Sequence, residues 1–196
     1  MRRELFFSLL VFFWIGAVDA GASETAAVET MLKDKVDQAL TILRQHDMDI
    51  KARQQAIVAI VEPLFDFPLM AKLVLGKKHW FKLTGDQQRR FEALFVERLK
   101  SSYIEKIDLY SDETVSYRPT VEAGPDKVYI PAVILSKDKE IVILYKLYRN
   151  PAGWKIFDVE VQGVSIVTTF RSQFDQILNT GTVADLFKEL EKPQTP

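Results

Sequence analysis

Residues 127–162 read KVYIPAVILS, KDK, EIVILYKLYR, NPAG and WKIFDVEVQ. Three runs rich in β-branched and aromatic residues are separated by two short polar segments built from the residues that favour tight turns. This spacing predicts strands over Lys127–Ser136, Glu140–Arg149 and Trp154–Gln162, joined as an antiparallel meander. A further strand is predicted just upstream, at Thr114–Arg118, which makes four. In Val128–Leu135 both alternating sets of side chains are largely apolar, and Ile141–Leu147 repeats this except at Lys146. A sheet with one wet face alternates more cleanly than that. Either helices cover both faces, or one face lines a cavity that an apolar molecule fills.

Helical periodicity surrounds the meander. Val28, Met31, Leu32, Val36, Leu40 and Leu43 recur at helical spacing between Glu24 and Arg44. A second helix runs from Ile50 and stops or kinks near Pro63. In the third, Asp66 is placed as the cap, Pro68 sits in the first turn and Gly76 closes the helix after Leu75. Thr84 and Gln87 form a capping-box signature for a long helix with Phe91, Leu94, Phe95, Leu99, Tyr103 and Ile107 on one face and charges on the other. After the strands, helices are predicted over Ser165–Asn179 and from Thr182 to about Lys192. Without a repeat or a flexible linker, the chain reads as a single α+β domain with helices flanking one small sheet.

The beginning of the chain carries a different pattern. Arg2 and Arg3 precede an apolar run from Leu5 to Val18, and small residues follow at Ala20-Gly21-Ala22. About 14 apolar residues are too few for a membrane span, which takes roughly 20. The pattern is that of a secretory signal peptide over residues 1–22, cleaved after Ala20 or Ala22. The domain then covers 23–193, and 194–196 form a flexible tail. Cysteine is absent, which excludes disulfides, a thiol nucleophile and a lipidated cysteine. The 26 basic and 27 acidic residues give a net charge of −1. No basic excess exists to displace counterions from a polyanion, so no nucleic-acid partner is expected.

Catalytic signals are sparse. His46 and His79 are the only histidines and have no partner at ligand spacing, so no metal site is expected and both read as surface or packing residues. Gly163-Val164-Ser165 resembles a nucleophile turn, yet a serine directly before a helical run is more often its N-cap. Asp158 alternates with Trp154 and Ile156 and therefore points toward an apolar layer, where a carboxylate with a raised pKa serves as a base in cone-shaped α+β enzymes. Such sites pair the Asp with a histidine, and none falls in the sheet or its covering helices, so no catalytic residue is assigned.

Two blocks of residues nevertheless form a recognisable set. The first is Leu75-Gly76, Trp80, Leu83-Thr84, Gln87, Phe91, Phe95, Leu99 and Tyr103. The second is Tyr145-Lys146-Leu147, Gly153-Trp154-Lys155-Ile156, Asp158-Val159, Gly163-Val164-Ser165 and Phe170-Arg171-Ser172-Gln173-Phe174. In order and spacing they resemble the MlaC family, also called the toluene-tolerance or ABC-transporter auxiliary family. The resemblance implies a curved antiparallel sheet under a layer of helices, with a deep apolar pocket that holds phospholipid acyl chains. It also implies a periplasmic carrier, not an enzyme and without a cofactor beyond its cargo. Its implied partners are an outer-membrane MlaA-type lipoprotein complex and the MlaD-type MCE ring of an inner-membrane ABC transporter. Two other readings stand beside this one: a carrier of another apolar lipid such as a hopanoid, and a cone-fold enzyme using Asp158.

For a carrier, the lining is expected from Val128, Ile130, Ala132, Ile143 and Tyr145 on one face of the meander, and from Phe91, Phe95 and Leu99 on the long helix. A change of phase by one residue would exchange the two faces of the sheet. Val164, by its place in the Gly-Val-Ser motif, is expected at the pocket edge. The strand positions offer almost no cation apart from Lys146, so the headgroup is expected to stay near solvent and the tails to carry recognition.

Overall fold

A computed structural model describes residues 20–107, 113–136 and 139–193. The predicted signal segment up to residue 19, the tail at 194–196 and the turn at 137–138 lie outside the described residues. Helix α1 spans Ala20–Leu43, α2 Ile50–Val61, α3 Phe67–Trp80 and α4 Gly85–Ile107. A 3-10 turn at Glu62–Leu64 carries Pro63, which has no amide to continue the α2 ladder. The caps are side-chain oxygens. Asp49 accepts from Ala52 N at 3.0 Å and Asp66 from Leu69 N at 2.9 Å. Thr84 and Gln87 bond each other's backbone amides reciprocally.

Gly76 closes the first part of α3 after Leu75, as expected. It adopts φ 64° and ψ 164°, and the helix resumes for another turn to Trp80. That backbone conformation is open only to glycine without strain. A non-helical residue at 76 also withdraws the amide that normally bonds the Leu73 carbonyl. Arg171 replaces it: both Nε, at 2.8 Å, and Nη2 donate to Leu73 O.

Among the described residues the sheet has six antiparallel strands, two more than the four predicted. They are β1 Thr114–Tyr117, β2 Val121–Gly124, β3 Lys127–Ser136, β4 Lys139–Asn150, β5 Gly153–Val161 and β6 Val164–Ser165. The order is β1-β3-β4-β5-β6, with β2 also paired to β3. The two unforeseen strands are short edges. All of β2 is exposed, so it carries no alternation to read, and β6 is two residues long. Helices α5 (Ile166–Thr180) and α6 (Val183–Glu191) complete the chain.

Register decides which side chains share a face. Val128 pairs with Leu147, Ile130 with Tyr145 and Ala132 with Ile143, while Tyr145 and Ile143 pair in turn with Val159 and Val161. This face joins Val28 and Leu32 of α1, Met70 and Val74 of α3, and Phe170 and Phe174 of α5 in one buried cluster. The predicted phase is therefore the one that faces the helices. The other face carries half-buried Tyr129, Pro131, Val142 and Leu144.

Candidate functional site

Between the sheet and the helices lies a cavity of about 260 Å³. Its floor is Ile143 and Tyr145 of β4 with Val159 and Val161 of β5. One wall is the stretch from α2 into α3, contributing Val58, Val61, Phe65, Phe67 and Met70. Leu99 and Tyr103 of α4 and Ile166 at the start of α5 form the other. Among the described residues only Glu62 and Lys100 bring charge to the lining, and they pair, Lys100 Nζ donating to Glu62 Oε1 at 3.0 Å. Larger surface grooves exist, such as one of about 490 Å³ between α4, α5 and α6, but Arg98, Ser102, Gln173, Gln176 and Glu189 line it. Chemistry, not size, singles out the apolar cavity.

The backbone holds this cavity open at several points. Phe65 makes a parallel bridge to Ile156, and Asp66 N donates to Ile156 O at 2.9 Å, which ties the 3-10 turn to β5. Tyr148 donates from its hydroxyl to the Asp66 carboxylate on the same seam. Tyr145 presents a phenol to the floor, and burial pushes its pKa up to about 12, so the group stays neutral.

Of the residues expected on the lining, Leu99, Ile143 and Tyr145 are there. Phe91 and Phe95 are not. Both are fully buried one and two turns earlier on α4, in a ring cluster with Phe174 and Phe170 at centroid distances of 5.7 and 5.5 Å. The apolar stripe of α4 first packs on α5, then passes over the cavity. Val128, Ile130 and Ala132 lie on the expected face but are closed into the core, at 2, 0 and 1 % exposure. Val164 is the clearest misplacement. It is 60 % exposed on β6 and borders a shallow polar groove with Glu160, Ser165, Thr168 and Gln173. The cause is Gly163, whose φ of 78° turns the chain before β6 begins.

Val159 and Val161 were missed because a bulge in β5 opposite Lys146 and Leu147 shifts the phase after Ile156, so that odd-numbered residues take over the helix-facing side, whereas Val58 and Val61 extend the stripe of α2. Phe65 and Phe67 carried no usable signal, because their aim depends on the bridge to Ile156.

Asp158 is buried and fully engaged. Its Oδ2 accepts from Lys146 Nζ at 3.2 Å and from Ser165 Oγ at 2.8 Å, and its Oδ1 from Val167 N at 3.1 Å. Ser165 itself caps α5 by accepting from Thr168 N at 3.0 Å. Burial works against the Lys146 charge, but hydrogen bonds to Glu160 and Asp158 outweigh it and hold its pKa above the ordinary lysine value. His46 is exposed, and His79 is buried on α3 beside Asp175. Among the described residues no three acidic or histidine side chains are grouped to hold a metal, and no helix is long and apolar enough to cross a membrane.

Three comparisons bear on this geometry. The sequence matches the family described as MlaC protein over residues 33–192. The toluene tolerance protein ttg2D of Pseudomonas putida is 23% identical over 131 residues, which are 66% of this chain and 61% of that protein, so the chain spans about three-fifths of its length. A solved phospholipid-binding protein from Ralstonia solanacearum, in complex with a phospholipid, shares the fold with a TM-score of 0.74. It is 22% identical, and the match covers 83% of this chain and 94% of that one.

Proposed function

The chain belongs to the MlaC protein family, and on that premise we propose that it is a periplasmic phospholipid carrier. It shuttles lipid between an MlaA-type complex at the outer membrane and an MlaD-type ring of an inner-membrane ABC transporter, and so maintains outer-membrane lipid asymmetry. The observation that carries the reading is the cavity of about 260 Å³ whose lining is apolar except for one ion pair. A solvent-exposed groove offers no such shelter to acyl chains.

Energetics agree with a carrier. At about 0.8 kcal/mol per buried methylene, the roughly 30 methylenes of a diacyl lipid represent about 24 kcal/mol of transfer from water, and a cavity of about 260 Å³ takes about a third of them, worth roughly 8 kcal/mol. A bilayer buries all of them, so burial alone does not draw lipid out of a membrane. Direction then comes from the partners, and the carrier needs no catalytic group. The arrangement of Asp158 supports this, since its oxygens already accept from Lys146, Ser165 and Val167.

Organic extraction of the purified protein followed by mass spectrometry tests the proposal, with uptake from phospholipid vesicles as a second arm. Co-purified phospholipid and vesicle uptake are expected. A hopanoid in the extract would redirect the reading to another apolar cargo. Neither cargo nor uptake would leave an adaptor without cargo.

A further inference from the structure

The ion pair on the cavity lining has a chemical logic that the tails alone do not explain. Leu99, Lys100 and Tyr103 all contribute to the same wall, so the charged residue stands within the apolar stripe and not on the opposite side of α4. The Lys100 side chain is 29 % exposed and that of Glu62 43 %. This is the disposition of a lysine whose stem follows an apolar wall while its ammonium reaches the rim. Pairs this exposed contribute little to stability, so replacing the glutamate by another anion costs little. A lysine ammonium is also a compact charge with rotatable donors, suited to passing from one anion to another.

On the carrier reading, a lipid whose tails occupy the apolar lining brings its phosphate to that rim. An unpaired phosphate against an apolar mouth is unfavourable. Among the described residues no other cation lines the cavity, and Lys146 of the sheet is held by Asp158 and Glu160. We propose that Lys100 is the phosphate ligand of the cargo, and that Glu62 is the counter-ion it gives up when lipid enters. The site reads the phosphodiester common to phospholipids, not the group beyond it. A cargo with the same tails and no phosphate lacks the anion that replaces Glu62.

The test compares delipidated protein binding dioleoyl phosphatidylglycerol and dioleoylglycerol, which share their tails. Wild type is expected to bind the phospholipid about tenfold more tightly, a difference of about 1.4 kcal/mol. Lys100→Gln should bring the ratio near unity, Lys100→Arg should keep it, and Glu62→Gln should tighten phospholipid binding several-fold. Melting curves establish that the variants are folded. An unchanged ratio in folded Lys100→Gln overturns the assignment while leaving the carrier intact, as does displacement of bound lipid by millimolar inorganic phosphate. Binding of neither lipid by wild type overturns the carrier reading itself.

Discussion

At the junction of α3, α5 and β5, polar groups are paired across elements: Asp158 joins Lys146, Ser165 and the Val167 amide, and Arg171 completes the carbonyl of Leu73. In the adjoining cavity the walls are Val, Ile, Leu, Met and aromatic side chains, with the pair of Lys100 and Glu62 among them. Ile166 belongs to both, as first residue of α5 and as part of the lining. The difference separates two tasks. Directional bonds fix where the helices stand, while the apolar walls remain free to accept chains of varied shape. Many of the residues by which the sequence resembles its family fall at the junction, which makes them marks of the scaffold more than of the cargo.

The sharpest test of that division is Asp158→Ala. It leaves the buried Val167 amide without its acceptor, Ser165 without its partner and Lys146 with Glu160 alone, so a loss of about 3 kcal/mol is expected, with a fall in melting temperature of roughly 6–12 °C. Lipid uptake per folded molecule should persist; its loss in the folded fraction would erase the boundary between the regions. Gly76→Ala comes next. The added methyl would meet only Arg171 Nε, 4.0 Å away, so the cost is backbone strain alone, about 1–3 kcal/mol by thermal melting. An unchanged melt would mean that the kink relaxes and that Arg171 does not depend on it.

Val161→Phe probes the other region. In a filled core such enlargement costs about 1–3 kcal/mol, but here the ring enters open space, so the melting temperature should stay within about 2 °C while vesicle uptake falls several-fold. A large drop in stability would show that the cavity wall is as closely packed as the junction. Val164→Glu should have the smallest effect on folding. At 60 % exposure the change is expected within about 0.5 kcal/mol, read as an unshifted melt.

How far these features were legible varied with their physical origin. The caps at Asp66 and Thr84 and the meander follow from local spacing, and the structure has them, but the alternation read through Trp154, Ile156 and Asp158 breaks at the bulge of β5. Gly76 was rightly read as the close of a helix, but the further helical turn to Trp80 and the donor to the Leu73 carbonyl, Arg171, which lies 95 residues later in the chain, were not legible. Phe91 and Phe95 could not be told from Leu99 by periodicity, since one stripe serves both the packing on α5 and the cavity wall. Lys100 was not singled out, because sequence pattern does not show how close Glu62 stands.

The cavity also has a volumetric meaning. Its 260 Å³ corresponds to about 160 mL per mole of protein, and the volume lost on unfolding, usually about 20 to 100 mL/mol, scales with the internal void without equalling it. Because the cavity opens at a rim, only the part of that space which water leaves unfilled adds to the sensitivity of the delipidated protein to hydrostatic pressure. Acyl chains that fill the space remove that sensitivity, so cargo makes the fold stiffer under compression even where it adds no polar contact to the scaffold.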